Sequence, residues 1–244
     1  MVPSWTETLL EAGVEVVGRT RFCVHPPCSV VRVGGTKDWN LPRVLSLGAD
    51  LLVLDKEENP LFMSVDSGLP IWASQILSLL DVAPSLLDLG QVLGCSTLAN
   101  WGERWSKVAA AGPCAGWPGI VEWGRRPTAE VRSVIYVIWR DPWMAVGPHT
   151  FIGSMLAKTG YPVHSFTDKY PVVDFSAFDR SSTLLLFSSE PFPFLRQRQG
   201  LAELGFPYAF VDGESFSWFG LRSLRFLESA LFAGPKLPET DAPE

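Results

Sequence analysis

Apolar runs and helical patterns alternate in the first third of the chain. Residues 5–12 predict a helix, because Ser4 can cap its start and Glu7 follows at the capping-box spacing. Residues 14–17 form a short, mostly apolar run that predicts a strand. A loop containing proline and glycine then extends to residue 35.

The next two elements continue this order. Residues 40–47 predict a helix with Asn40 as its cap and Pro42 in its first turn. Residues 49–54 predict a short, buried strand. A β-α-β order of this kind is typical of a parallel sheet that is covered by helices.

The middle of the chain has a different pattern. Residues 80–111 predict mostly helix, and Trp101 and Trp105 are four residues apart, so they share one helical face. We interpret that pair as packing and not as a platform for a ligand. Residues 112–129 are rich in glycine and proline and predict a boundary.

A second series of β and α patterns follows the boundary. We predict strands at residues 131–139, 182–187 and 208–211, and helices at residues 150–159 and 221–232. His149 occupies the capping position before the second-series helix that begins at residue 150, and Gly160 ends that helix.

Together the patterns predict an α/β protein with two α/β lobes, each with a parallel sheet, joined by a helical backbone. We place the N-terminal lobe at residues 1–80, the helical backbone and linker at 81–128, the C-terminal lobe at 129–236 and a disordered tail at 237–244. Ligands of open α/β sheets bind beyond the carboxyl ends of the strands, which predicts a ligand cleft between the lobes.

Composition narrows the class of protein. The 244 residues are 47% hydrophobic and include 20 basic and 26 acidic side chains, a net charge of −6 that argues against a nucleic-acid binder. No apolar stretch is long enough to span a membrane, and the N-terminus as written lacks the regions of a secretory signal, so we expect a cytoplasmic protein. Four cysteines without a CxxC spacing predict free thiols.

Seven segments narrow the class further. In chain order they are VPSWTETLLEAG, VVGRTRFCVHPP, VGGTKDWNL, ADLLVLDKEEN, VIWRDPWMAVGPHTFIGSML, SSEPFPF and VDGESFSWFGLR. Together they resemble the vitamin B12-binding branch of the ABC transporter substrate-binding proteins, the class III group with a helical backbone between the lobes. The resemblance implies a cleft that binds cobalamin, a related corrinoid or another metal chelate, with no covalent cofactor.

The chain departs from that family in three places. It begins at Met1, where the family has a signal peptide and a first strand, and its stretch at 59–83 is short. Pro42 and Ser176 stand where the transport receptors carry the glutamates that dock on the permease. These departures favour a cytoplasmic relative that does not dock on a permease. The alternative is a transport receptor with a misassigned start, located in the periplasm or at the cell surface.

Phe22 and His25 are the first candidate ligand contacts. The resemblance places their loop on the wall of the cleft. Phe22 can lie flat against a macrocycle, and His25 can coordinate cobalt or iron through its neutral imidazole. The alternative for His25 is a hydrogen bond to nearby backbone.

Further candidates in the first lobe lie on two later loops. Thr36 and Lys37 belong to a glycine turn whose N–H groups can bind an anion or an amide, or which serves only as a turn. Trp39 follows this turn. Glu58 follows the predicted strand at residues 49–54, at its carboxyl end, where it either contacts a ligand or is simply solvated.

In the second lobe, Trp139, Arg140 and Trp143 lie at the end of the strongest predicted strand, residues 131–139. They offer a ligand two stacking surfaces and a planar cation. The alternative is that the tryptophans pack into the core of the lobe and Arg140 pairs with Asp141. A second group of candidates follows the later strands: Glu190, Phe192 and Trp218. For each of them we weigh ligand contact and another role equally. For the aromatic Phe192 and Trp218, that other role is core packing.

We therefore expect reversible, non-catalytic binding of a chelate. Aromatic side chains would sandwich the macrocycle and polar ones would tether it: Trp139 and Trp143 on one side, Phe22 and Trp39 on the other, with Lys37, Glu58 and Arg140. An enzyme that reuses the cleft, with Glu58 and Glu190 as acids, is the alternative from another class. The chain has no GxSxG or HExxH motif, which argues against serine and zinc hydrolases.

Overall fold

The computed structural model describes residues 2–65 and 67–232, so the predicted tail at 237–244 lies outside the described residues. The helices are α1 (Pro3–Glu11), α2 (Leu41–Ser46), α3 (Phe62–Val65), α4 (Val82–Leu93), α5 (Ser96–Ala110), α6 (Phe151–Lys158), α7 (Gly213–Ser217) and α8 (Leu221–Phe232). The strands are β1 (Gly18–Arg19), β2 (Val31–Arg32), β3 (Leu52–Asp55), β4 (Ile71–Ser74), β5 (Ile120–Arg125), β6 (Ser133–Trp139), β7 (Met144–Ala145), β8 (Thr183–Ser188) and β9 (Tyr208–Val211).

Two small parallel sheets form the N-terminal lobe, with β1 paired to β2 and β3 paired to β4. A cavity of about 390 Å³ is lined by residues of β1 and β3, among others. The predicted strand at residues 14–17 is wrong, because these residues line the cavity and β1 begins only at Gly18. An apolar run forms a strand only where a partner lies alongside it, and β2 pairs with Gly18 and Arg19 alone.

The two helix starts predicted in this lobe have different outcomes. Helix α1 begins at Pro3, since proline is tolerated in a first turn where backbone N–H groups lack partners. Ser4 therefore lies inside the helix and is not its cap, and Glu7 binds Arg222 instead of the helix start. The prediction for Asn40 is confirmed, because its side-chain oxygen accepts a 3.0 Å hydrogen bond from the Arg43 N–H.

The helical segment between the lobes is the antiparallel pair α4 and α5. As predicted, its two tryptophans pack: Trp101 is 8% exposed and Trp105 is fully buried. The Trp105 indole N–H donates a 2.8 Å hydrogen bond to the Gly220 carbonyl, which attaches α5 to the start of α8. An ion pair of 2.5 Å between Arg104 and Glu228 links the same two helices.

The C-terminal lobe contains a five-stranded sheet in the order β5-β9-β8-β6-β7. The three inner strands are parallel, and the edge strands β5 and β7 run antiparallel to their neighbours. Strand β5 lies in the segment at 112–129 that the sequence analysis took for a turn-rich boundary. It forms because β9 offers it an edge, which the local sequence does not reveal.

Helix α6 is capped by a residue other than the predicted His149. The Thr150 hydroxyl accepts a 3.0 Å hydrogen bond from the Gly153 N–H, while the His149 side chain is exposed. A hydroxyl on the last extended residue reaches the free N–H groups of the first turn, which explains why threonine is preferred as a cap.

Trp5 joins the two lobes. Its ring meets Trp72 of β4 edge-on at 5.2 Å and Phe219 of the second lobe at 5.4 Å, and its indole N–H donates to the Ser74 hydroxyl at 2.8 Å. The chain is thus an α/β protein with two lobes, as predicted, and its sheets are parallel apart from the antiparallel edge strands β5 and β7. Among the described residues, no helix is long and apolar enough to cross a membrane.

Candidate functional site

A cleft lies between the lobes, beyond the carboxyl end of β3. Its central cavity of about 100 Å³ is lined from the first lobe by Asp55, Glu57 and Glu58, and from the second lobe by His149, Lys169 and Tyr170, among others. Both lobes contribute titratable side chains to this one cavity. The position agrees with the expectation that ligands of α/β folds bind where parallel strands end.

Asp55 and Asn59 build the floor of the cleft. Asp55 is 1% exposed and accepts hydrogen bonds from the Ser74 hydroxyl at 2.6 Å and from the Ile76 N–H at 3.3 Å. Burial raises the pKa of Asp55, and these hydrogen bonds oppose the rise. The Asn59 amide donates to the Thr36 carbonyl at 2.8 Å, so it attaches the glycine turn to the floor.

Glu58 and Glu57 face the cleft differently. The Glu58 side chain reaches solvent, but the surrounding protein raises its pKa by desolvation, and repulsion from Asp55 adds to the rise while Lys37 lowers it. Glu57 forms a 2.9 Å ion pair with Lys169 of the second lobe. This pair closes the cleft from one lobe to the other.

His25 makes a second contact between the lobes. Its Nε2 lies 3.4 Å from Oε1 of Glu214, and its ring centroid lies 5.7 Å from that of Trp218. Arg222 lies over Trp218 at 4.9 Å and binds Glu214 at 2.8 Å. His25 therefore meets a tryptophan and a carboxylate that a cation holds in place.

Glu190 lies beside this contact. Its carboxylate accepts hydrogen bonds from the Ser217 hydroxyl and from Trp218. Burial raises the pKa of Glu190, and the two hydrogen bonds oppose the rise. The arrangement can donate a proton or accept a hydrogen bond at the end of β8.

An aromatic group lies at the ends of β6 and β8. Trp139 is 41% exposed and meets Phe192 edge-on at 5.7 Å, and Phe192 contacts the buried Phe194 at 4.5 Å. Trp143 stacks on Phe194 at 6.1 Å and is half-buried, with Arg140 over its ring at 5.4 Å. Trp139 thus offers an accessible surface, whereas Trp143 is committed in part to the core.

The structure gathers the candidate residues into groups and leaves two apart. His25, Glu190 and Trp218 come together, as do the residues at the ends of β6 and β8. Phe22 is 48% exposed on its loop, beneath the Arg21 guanidinium at 4.8 Å. Trp39 is half-buried and packs into the core of the first lobe, so its ring is used there.

Sequence reasoning missed three residues of the cleft. Lys169 and Tyr170 lie in a loop with no strand or helix pattern, and no signal in the sequence points to them. Partial burial raises the pKa of Tyr170, and Glu58 and Glu57 add to the rise. Glu214 lies in the segment VDGESFSWFGLR, which the resemblance had already singled out.

A bare metal ion has no site of the usual kind here. Among residues 2–65 and 67–232, no three or more His, Cys, Asp or Glu side chains form a group that could hold one. All four cysteines are free thiols, as predicted.

Comparison with known proteins identifies the fold. No protein-family model matches the chain, and no curated protein matches it. The heme-binding protein HutB of Vibrio cholerae superposes with a TM-score of 0.69 at 15% identity, over 93% of each chain. The vitamin B12 binding protein BtuF of Vibrio cholerae superposes with a TM-score of 0.67 at 16% identity, over 94% of this chain and 92% of that one. The chain has the class III substrate-binding-protein fold.

Another structure with this fold has its ligand bound. The periplasmic heme-binding protein BhuT, in complex with two hemes, superposes with a TM-score of 0.67 at 18% identity, over 91% of this chain and 93% of that one. These structural neighbours are binding proteins. The resemblance inferred from the seven segments is thus confirmed at the level of the fold.

Proposed function

We propose that the protein reversibly binds a corrinoid such as cobinamide or cobalamin in the cleft between its lobes. The observation that supports this most is the meeting of His25 with Trp218 and Glu214 across the cleft. An imidazole can coordinate the metal of a chelate, and the exposed ring of Trp139 can cover a flat macrocycle at low cost in conformational entropy. The structural neighbours, which bind vitamin B12 or heme, point to the same class of ligand.

The charge of the cleft favours a corrinoid over haem. Among the described residues of the cleft, carboxylates outnumber cations: Asp55, Glu57, Glu58, Glu190 and Glu214 against Lys37, Lys169 and Arg222. The amide side chains of a corrinoid donate hydrogen bonds to carboxylates. The propionates of haem would instead be repelled by them.

Binding requires the cleft to open. The central cavity of about 100 Å³ is smaller than the roughly 300–1,000 Å³ of typical ligand pockets. The Glu57–Lys169 and His25–Glu214 contacts both cross the opening, so they have to separate before a macrocycle can enter. Both contacts are partly exposed to solvent, which lowers the cost of breaking them.

We propose a binding role without catalysis and without permease docking. The two positions where the transport receptors of the resembling family carry docking glutamates are the exposed residues Pro42 and Ser176, neither of which is acidic. A cytoplasmic carrier or sensor fits these residues better than a transport receptor does. An enzyme would need Glu58 or Glu190 as an acid to turn over a substrate. The variant Glu58→Gln tests that alternative: loss of turnover with ligand binding retained would support an enzyme.

The test is ligand titration by tryptophan fluorescence and calorimetry with cobinamide, cobalamin and haem. We expect quenching and heat with a corrinoid and a weaker response to haem. Trp139→Phe should reduce the quenching, whereas Trp117→Phe should not, although the two tryptophans are 41% and 40% exposed. The absence of heat and quenching with all three ligands would refute the proposal, and tighter binding of haem would refute the preference for a corrinoid.

A further inference from the structure

The loop that carries Phe22 and His25 has no regular structure of its own. It joins β1 to β2, which run parallel, so it has to cross from the end of one strand to the start of the other. Two short-range backbone hydrogen bonds, from the Cys23 N–H to the Thr20 carbonyl and from the Val24 N–H to the Phe22 carbonyl, lie within its first turn.

Arg19, the last residue of β1, binds this loop from within. Its guanidinium donates to three backbone carbonyls of the loop: Val30 at 3.1 Å, Cys28 at 3.0 Å, and Cys23. The three carbonyls flank His25 on both sides along the chain. Arg19 is 6% exposed, so these hydrogen bonds form away from bulk water.

The partners of Arg19 are unusual for a buried cation. Among the ion pairs of the described residues, none includes Arg19, so backbone carbonyls alone satisfy its charge. A planar guanidinium can donate to several acceptors in fixed directions, which a lysine ammonium on a flexible stem cannot reproduce.

The same loop has a second anchor at its start. The Cys23 thiol lies 3.1 Å from the Thr6 hydroxyl of α1 and 3.0 Å from the Thr20 hydroxyl. Cys23 is fully buried. The loop is thus held at one point by α1 and at three points by Arg19, while Phe22 and His25 extend from it toward solvent and the opposite lobe.

We infer that Arg19 is a positioning residue for ligand binding: it fixes the backbone of the loop so that Phe22 and His25 are presented to the cleft before a ligand arrives. This inference rests on the proposed function of the cleft. A loop fixed in advance loses less conformational entropy on binding, which strengthens affinity without any contact between Arg19 and the ligand.

The experiment compares Arg19→Lys with Arg32→Lys. Arg32 is the partner of Arg19 in the β1–β2 register and is exposed, so it is a matched control. We expect Arg19→Lys to weaken cobinamide binding by at least about tenfold, the lower end of the loss seen for residues that support a ligating side chain. Arg32→Lys should leave the affinity unchanged. In a His25→Ala and Phe22→Ala background, the effect of Arg19→Lys should largely disappear.

A ligand-free measurement separates this inference from the proposed function. Labelling of Cys23 and Cys28 by a thiol reagent, followed by mass spectrometry, should be faster in Arg19→Lys than in the wild type or in Arg32→Lys. Failure of the wild type to bind cobinamide refutes the proposed function only, because the labelling still reports the loop. Equal labelling and equal affinity in the two lysine variants would overturn the positioning role.

A second variant covers the possibility that Arg19→Lys does not fold. Arg19→Gln is neutral and keeps one planar donor group, so it removes the buried charge together with part of the hydrogen bonding. If Arg19→Gln folds, it should show the same faster labelling and weaker binding. Loss of folding in both variants would make Arg19 a residue of core stability and overturn the inference.

Discussion

Arg222 of α8 forms an ion pair with Glu7 of α1. Replacing Arg222 therefore tests the packing between these two helices. Its Nε and Nη2 donate to the Glu7 carboxylate at 2.9 and 2.5 Å, and its Nη1 lies 2.8 Å from Glu214. Glu7 is 7% exposed. Arg222→Met would therefore leave a buried carboxylate without its cation.

The size of the loss follows from this burial. Removing one partner of a fully buried ion pair costs about 3–5 kcal/mol. The Arg222 side chain is 23% exposed, so water can partly hydrate Glu7 in the variant. We therefore expect the free energy of unfolding to fall by about 2–3 kcal/mol. For a chain of this size, that corresponds to a decrease in Tm of about 4–12 °C.

Urea unfolding, followed by circular dichroism and tryptophan fluorescence, measures this loss. The control is Arg225→Met on the same helix, because Arg225 pairs with Glu11 at 3.1 Å and both side chains are more exposed, at 57% and 33%. We expect the control to lose less than about 1 kcal/mol. The double variant Glu7→Gln with Arg222→Met should be more stable than Arg222→Met alone. Equal losses in Arg222→Met and Arg225→Met would refute the reasoning.

Three further predictions concern the cleft and a helix cap. Because the folded pKa of Glu190 is raised above its ordinary value of 4.5, its ionisation costs stability as the pH rises above that value. Glu190→Gln should therefore raise Tm at pH 7, and a gain that persisted below pH 4.5 would contradict this origin. Lys169→Met removes the exposed ion pair across the cleft and should tighten cobinamide binding about two- to fivefold at low salt, an effect that calorimetry should no longer detect at high salt. Asn40→Ala removes the cap of α2 and should cost about 1 kcal/mol in urea unfolding, whereas Ser46→Ala near the other end of the helix should change stability by less than half as much.

Predictions from the sequence held where local pattern and tertiary structure agree. Strand β9 and helix α8 have the predicted bounds, because a continuous apolar run and an amphipathic period leave few alternatives. Strand β5 was missed, because its residues alternate weakly between glycine-rich turns and need the edge of β9 to pair. The strand predicted at residues 14–17 does not form, because these residues line a cavity and have no partner strand among the described residues.

For the candidate site too, some features could be predicted from the sequence and others depend on the tertiary structure. Glu58 and Glu190 could be proposed as candidates from the sequence, because they follow strands and parallel strands present their carboxyl ends at a common edge, whereas His25 was proposed from the resemblance. The partners of those residues could not be identified from the sequence. Lys169 reaches Glu57 from 112 positions away along the chain, and only the packing of two lobes decides such a distance.

The sequence by itself determined the α/β class and the two lobes, because those properties follow from hydrophobic period and residue type. Only the tertiary structure decided which of the aromatic side chains stay accessible. Trp139, the last residue of β6, is 41% exposed, whereas Trp218, which follows α7, is 7% exposed, although both carry the same indole. The difference lies in what packs against each ring, and contacts between residues distant in sequence are set by the fold as a whole.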